Sequence, residues 1–225
     1  MSDCCHTIPK TALRPELRGF WDGPVWGETP FLNINCFRPE SASHRPLVRC
    51  KLFYDESHLY GLFLVEDRYV RCIHNGFQDP VYEDSCVELF VQPKPDKGYF
   101  NFEFNCGGAM LASYVTDPTR IDGQVAEATP FSLEESRQVM IYHSLPSIVE
   151  PEMEGEVTWS LEFSIPFAVL TGYAGSLGKV DGQEWQGNLY KCGNKTSHPH
   201  WASWSPLTDR NFHAPWNFGT LRFAP

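Results

Sequence analysis

The sequence predicts an all-β protein, an antiparallel β-sandwich of jelly-roll type with one short helix. Three observations carry that expectation. Ten or eleven short segments read as strands, and those at 86–92, 99–106 and 157–165 alternate apolar and polar residues with period two, as half-buried strands do. Turn residues punctuate them, with 17 Gly and 18 Pro in 225 residues, and that spacing favours a sandwich. Only Pro166 to Gly172, PFAVLTG, reads as helical, because proline suits a first helical position. No repeat or linker interrupts the chain. Residues 1–19 read as an irregular lead-in and 20–225 as one domain.

The elements follow in order. WDG at 21–23 and the aromatic run to Phe37 suggest a first strand returning over the core. Arg49 to Tyr54 and Leu59 to Val65 are strands joined by a tight turn, and LYGLFLV is apolar on both faces, as a central strand is. Residues 68–81 read as a loop. Cys86 to Gln92 and Tyr99 to Cys106 form a hairpin around PKPDKG, whose two prolines and glycine neither strand can cross. Ala109 to Val115 is a strand, Thr116 to Phe131 a long polar loop, and Arg137 to His143 another strand. Ser144 to Glu156 reads as a loop and Val157 to Ile165 as a cleanly alternating strand. Gln183 to Cys192, His200 to Ser205 and Gly219 to Phe223 complete the set.

The central hairpin has a preferred register. With Gln92 opposite Tyr99, the pairs Val87–Phe104, Leu89–Phe102 and Val91–Phe100 share one apolar face. A slip of one residue would set phenylalanines against polar groups. The same register puts Glu88 opposite Glu103 on the other face, an unfavourable juxtaposition. Two carboxylates kept there point to a cation or a ligand hydroxyl between them.

Composition excludes some functions. A formal charge of −10 without a basic cluster argues against nucleic acid. No apolar run is long enough to span a membrane, and MSDCCHTIPK has no signal-peptide core. The eight cysteines form no CxxC pair and read as free thiols of a reducing compartment, the cytoplasm. The 16 Phe, 9 Tyr and 7 Trp exceed what a core alone needs, so some rings should be exposed.

From Tyr82, the run YEDSCVELF resembles the aromatic-x-D-[DS]-x-V-E-[LIF]-F core of family 9 carbohydrate-binding modules. WDG, LFYDESHLYGLFLVED, FNFEFNCGG, TWSLEFSIPF, WASWSPL and FHAPWNFGTLRF resemble further motifs of that family, in order, over residues 20–223. The likeness is to stand-alone, family 9-like bacterial proteins rather than to modules appended to xylanases. The resemblance implies a sandwich that binds mono-, oligo- or polysaccharide between two aromatic rings, in polysaccharide catabolism. By position the clamp is Tyr82 and Trp204, with Glu88 and Glu103 as the floor and Asn105, Tyr190 and Lys191 nearby. Here Tyr82 stands where those modules carry Trp, Glu103 where they are usually basic, and Cys86 where they carry a small polar residue. Family members often hold calcium; Glu66, Asp67 and Asp84 are the acidic candidates.

Sugar recognition needs flat rings against C–H faces and acceptors in the ring plane. Trp201 competes with Trp204. Three residues apart on a strand, they point to opposite faces, so only one lines the cleft, and the family pattern favours Trp204. Three other readings remain open. Glu88 and Glu103, with Cβ atoms about 5 Å apart, match the carboxyl separation of a retaining glycosidase. His198, His200 and His213 could hold zinc. The pocket could also be vestigial on an interaction domain. The preferred reading is non-catalytic carbohydrate binding.

Overall fold

The computed structural model describes residues 4–225. Among these, the strands run β1 (Cys5–Ile8), β2 (Phe31–Asn33), β3 (Cys36–Phe37), β4 (Leu47–Tyr54), β5 (His58–Cys72), β6 (Cys86–Gln92) and β7 (Tyr99–Asn105). They continue with β8 (Met110–Ile121), β9 (Gln124–Pro130), β10 (Met140–His143), β11 (Val149–Pro166), β12 (Glu184–Cys192), β13 (Trp201–Ser203) and β14 (Gly219–Phe223). The larger sheet is ordered β1-β14-β12-β6-β7-β8-β9, with β13 beside β12 and β3 beside β13; the smaller is β10-β11-β5-β4-β2. All pairs are antiparallel except β1 with β14. This is the expected β-sandwich.

The central hairpin pairs in the expected register: Val87 with Phe104, Leu89 with Phe102, Val91 with Phe100 and Glu88 with Glu103. Its apolar face meets the smaller sheet, where the Phe104 and Phe163 rings stack at 5.1 Å and 9°. Val87, Leu89, Val91, Phe100, Phe102 and Phe104 are all fully buried. Gly61, opposite Phe163 in β5–β11 pairing, admits that ring where any Cβ would collide with it.

Several expectations are corrected. Residues 5–8 lie not in an irregular lead-in but in β1, where His6 and Ile8 turn inward. The WDG region is a series of turns covering the outside of the smaller sheet. There Leu17, Trp21 and Val25 pack over Trp26, Phe53, Tyr60 and Leu62. Glu162 pins that cover, accepting from Arg18 N, Gly19 N and Trp26 Nε1 at 2.8, 2.6 and 2.8 Å. β5 runs on to Cys72, and β11 starts at Val149 with two register shifts, so parts of the expected loops at 68–81 and 144–156 are strand.

The largest correction concerns Thr116 to Phe131. It is a hairpin, β8–β9, turning at Asp122-Gly123 with φ of 51° and 81°, the paired left-handed conformations of a tight hairpin turn. A short helix, α1 (Leu133–Ser136), follows, capped reciprocally by Ser132 and Glu135. The expected helix is α2 (Phe167–Ala174), entered through Pro166. No described helix is long and apolar enough to cross a membrane.

Candidate functional site

The outer face of β6 and β7 forms the floor of a cleft of about 580 Å³. Period-two alternation puts Glu88, Asn101 and Glu103 there, opposite the core-facing phenylalanines. One wall is Tyr82, carried by a single 3-10 turn over Val81–Glu83. Another is Trp201 at the start of β13. Its backbone N–H donates to Ser41 Oγ at 3.0 Å, and its carbonyl accepts from Arg38 N at 2.9 Å. The indole N–H donates to Asn194 Oδ1 at 2.7 Å, and the Arg38 guanidinium lies 4.9 Å from the ring centroid. Tyr82 and Trp201 line the same cleft, and no stacking contact joins them among the described residues. The β8–β9 hairpin closes a third side with Leu111, Ser113, Arg120 and Val125.

The floor is acidic and short of partners. Glu88 is 2% exposed and Glu103 5%. Glu88 Oε1 accepts from the Cys192 thiol at 3.1 Å. Burial, with Cys192 and Glu103 adding to it, pushes Glu88 well above the usual carboxylate range. Glu103 is raised to about 7 by burial, against the Asn101 hydrogen bond and the Arg120 charge. Asn101 Nδ2 donates to Glu103 Oε1 at 2.8 Å. That leaves Asn101 Oδ1 and Glu103 Oε2 buried without a hydrogen-bond partner. Such orphaned acceptors each cost about 1–3 kcal/mol, and both belong to residues that line the cleft.

The structure brings together three of the seven expected site residues: Tyr82, Glu88 and Glu103 line the cleft. Trp204 does not, which corrects the expected clamp. It packs against the core, its ring edge-on to His6 at 6.5 Å, where a Cβ on Gly219 would press into the indole. Trp201 takes the wall instead, because its register opposite Cys192 puts it on the Glu88 face. Asn105 is buried below the cleft and closes the β7–β8 turn. It accepts from Ala109 N at 2.9 Å and donates to His74 O at 2.6 Å and Asp84 Oδ2 at 3.0 Å. Tyr190 lies beneath the cleft, fully buried, donating to Phe212 O at 3.0 Å, its ring stacked on Phe212 at 4.1 Å.

Lys191 points the other way, into the sandwich, because its pair across the strands is core-facing Val87. Its Nζ lies 2.7 Å from His200 Nε2, 2.9 Å from Cys192 O and 3.5 Å from Asp67 Oδ2. Asp67 Oδ1 meets His44 Nε2 at 2.7 Å. Burial alone would raise the Asp67 carboxyl; Lys191 and His44 outweigh it and hold it below the usual range.

The calcium candidates do not converge. Glu66 pairs with Arg49 at 2.6 Å, Asp67 with Lys191 and His44, and Asp84 accepts from Ile73 N and His74 N at 3.1 and 3.0 Å. The zinc reading fails similarly. His198 stacks on Tyr69 at 3.6 Å, His200 faces Lys191, and His213 meets Tyr99 on the other side of the sheet. Among the described residues, the group with metal-ligand spacing is Cys86, Glu88 and Cys192, wholly buried under the floor. Among the described residues, no disulfide joins the cysteines.

Sequence reasoning missed Asn101 and Arg120 as cleft-lining residues and set Trp201 aside in favour of Trp204. Asn101 shares the Glu103 face by simple alternation. Asp122-Gly123 was the signal for the hairpin that carries Arg120.

A two-sheet sandwich with an aromatic-walled, polar-floored cleft on one outer face defines a ligand-binding β-sandwich. The match to the model of carbohydrate-binding family 9 spans residues 26–223, and the chain belongs to that family. It is similar to a putative carbohydrate-binding protein of Bacteroides uniformis, with 30% identity, a TM-score of 0.83, and 97% and 98% of the two chains covered. It also resembles in fold a family 9 module of Caldicellulosiruptor kristjanssonii, solved with glucose and with cellotriose. Those matches have 15% identity and TM-scores of 0.61 and 0.60, covering 97% and 98% of this chain and 95% and 94% of the other. A search of curated proteins found no match.

Proposed function

We propose that the chain binds a saccharide, without catalysing its cleavage, in the cleft between Tyr82 and Trp201. The observation that carries this reading is the pair of orphaned acceptors, Asn101 Oδ1 and Glu103 Oε2, between two aromatic rings. Rings supply apolar surface for a sugar's C–H faces, and buried acceptors reward hydroxyl donors. The solved glucose and cellotriose complexes of a family 9 module support the same ligand class. Glu88 and Glu103 serve as hydrogen-bonding floor. A retaining glycosidase needs one carboxyl ionised as nucleophile, and burial raises both of these.

Isothermal titration with glucose, cello-oligosaccharides and other neutral sugars tests the reading. Trp201→Ala and Tyr82→Ala should each weaken the binding of a sugar by roughly thirtyfold while leaving the melting temperature nearly unchanged. A sugar bound by either variant with the affinity of the wild-type chain would defeat it.

A further inference from the structure

Three arginines line the cleft of a chain whose formal charge is −10. Two of them are engaged. Arg38 and Arg210 both contact the carboxylate of Glu40, which lies outside the cleft lining. Arg120 differs. Among the described residues it has no ion pair. Its Nε and Nη2 donate to Asn211 Oδ1 at 3.4 and 3.2 Å, and its Nη1 to Gly123 O at 2.8 Å. Neutral acceptors therefore orient an exposed guanidinium that no described carboxylate pairs with.

Glu88 and Glu103 form the cleft floor, at least nine-tenths buried, and neither makes an ion pair with Arg120 among the described residues; burial raises both, against the pull of the Arg120 charge. An oriented guanidinium presents a planar fork suited to a carboxylate, and such charge-assisted bonds are about twice as strong as neutral ones.

Building on the proposed saccharide site, we propose that its preferred ligand is an acidic sugar, a uronate whose carboxylate sits on Arg120. The ring would lie between Tyr82 and Trp201, with hydroxyls donating to Asn101 Oδ1 and Glu103 Oε2. The −10 charge of the whole chain opposes an anion only at long range. Screening limits that repulsion to about 8 Å at physiological salt, so the local guanidinium decides.

The test compares each acid with its neutral methyl ester, which keeps ring and hydroxyls and removes the charge. Glucuronic and galacturonic acids, their methyl esters, glucose and galactose are titrated calorimetrically against the full chain and Arg120→Gln, with circular dichroism confirming that the variant folds. At least one acid should bind the full chain tenfold or more tightly than its ester, and rising salt should narrow the gap. Arg120→Gln should erase the difference between acid and ester. Esters or neutral sugars binding as tightly as the acids would overturn the uronate assignment while leaving the saccharide site intact. A gap that survives Arg120→Gln would overturn the role of Arg120. Binding by no sugar in either series would overturn the saccharide reading itself.

Discussion

Two buried polar clusters lie on opposite sides of the larger sheet, and they are finished differently. On the inner side, Lys191, Asp67, His44 and His200 form a closed set. Asp67 Oδ2 lacks a hydrogen bond but has the Lys191 ammonium at 3.5 Å, and Oδ1 receives both His44 and Arg68 N. On the outer side, Glu88, Glu103 and Asn101 form an open set, with two acceptors unpartnered and two carboxyls raised by burial and without an ion pair. Adjacent residues of one strand, Tyr190 and Lys191, belong to the two clusters. A polar network closed on itself holds the sandwich together; one left open toward a cleft is suited to a ligand.

The comparison can be broken from either side, and the inner cluster should give the largest effect. Lys191→Met strands a buried carboxylate, and removing one partner of such a pair typically costs about 3–5 kcal/mol. Urea unfolding should show that loss, and adding Asp67→Asn should restore much of it. If Lys191→Met is neutral, the cluster is not structural. Trp204→Ala removes a core-packed indole and should cost about 3 kcal/mol in the same assay, with sugar affinity unchanged. Trp201→Ala should do the reverse, losing about 2 kcal/mol of binding, roughly thirtyfold, with little change in stability. If both tryptophans affect the same observable, the assignment of opposite faces is wrong.

The smallest effect sharpens the outer cluster. Folded Glu103 titrates at about 7 and an ordinary glutamate at 4.5, so the folded state holds this proton more tightly than the unfolded chain. Relative to Glu103→Gln, the wild type should lose stability as pH rises from about 4.5 to 7 and then stay level. The difference between the two melting curves isolates this from His200 and His213. Burial lowers both to about 3, with Lys191 adding to the shift in His200 and Arg120 in His213. Their contribution runs oppositely, fully present above 6.5 and fading as pH falls toward 3. A pH-independent difference between Glu103→Gln and wild type would show that the floor carboxyl is not desolvated.

How much was legible follows from what each feature depends on. The register of the central hairpin was readable because three apolar pairs agree on one alignment, and Glu88 opposite Glu103 came with it. The β8–β9 hairpin was missed because its residues are polar on both faces. Its strand pattern is weak, and only Asp122-Gly123 marked the turn. Trp201 and Trp204 could be separated by alternation into opposite faces, but alternation does not say which face is outside. Lys191 was misplaced for the same reason. A charged residue on a strand suggests solvent, and its buried partners, Asp67 and His44, are distant in sequence.

By itself the sequence determined the strands of the core, their pairing at the centre and the two carboxyls on one face, because period-two patterning acts between neighbours in the chain. Only the tertiary structure decided which tryptophan walls the cleft, which lysine neutralises a buried aspartate and which arginine overhangs the floor. Those depend on where separate strands and loops meet, and on which groups remain unsatisfied after they do.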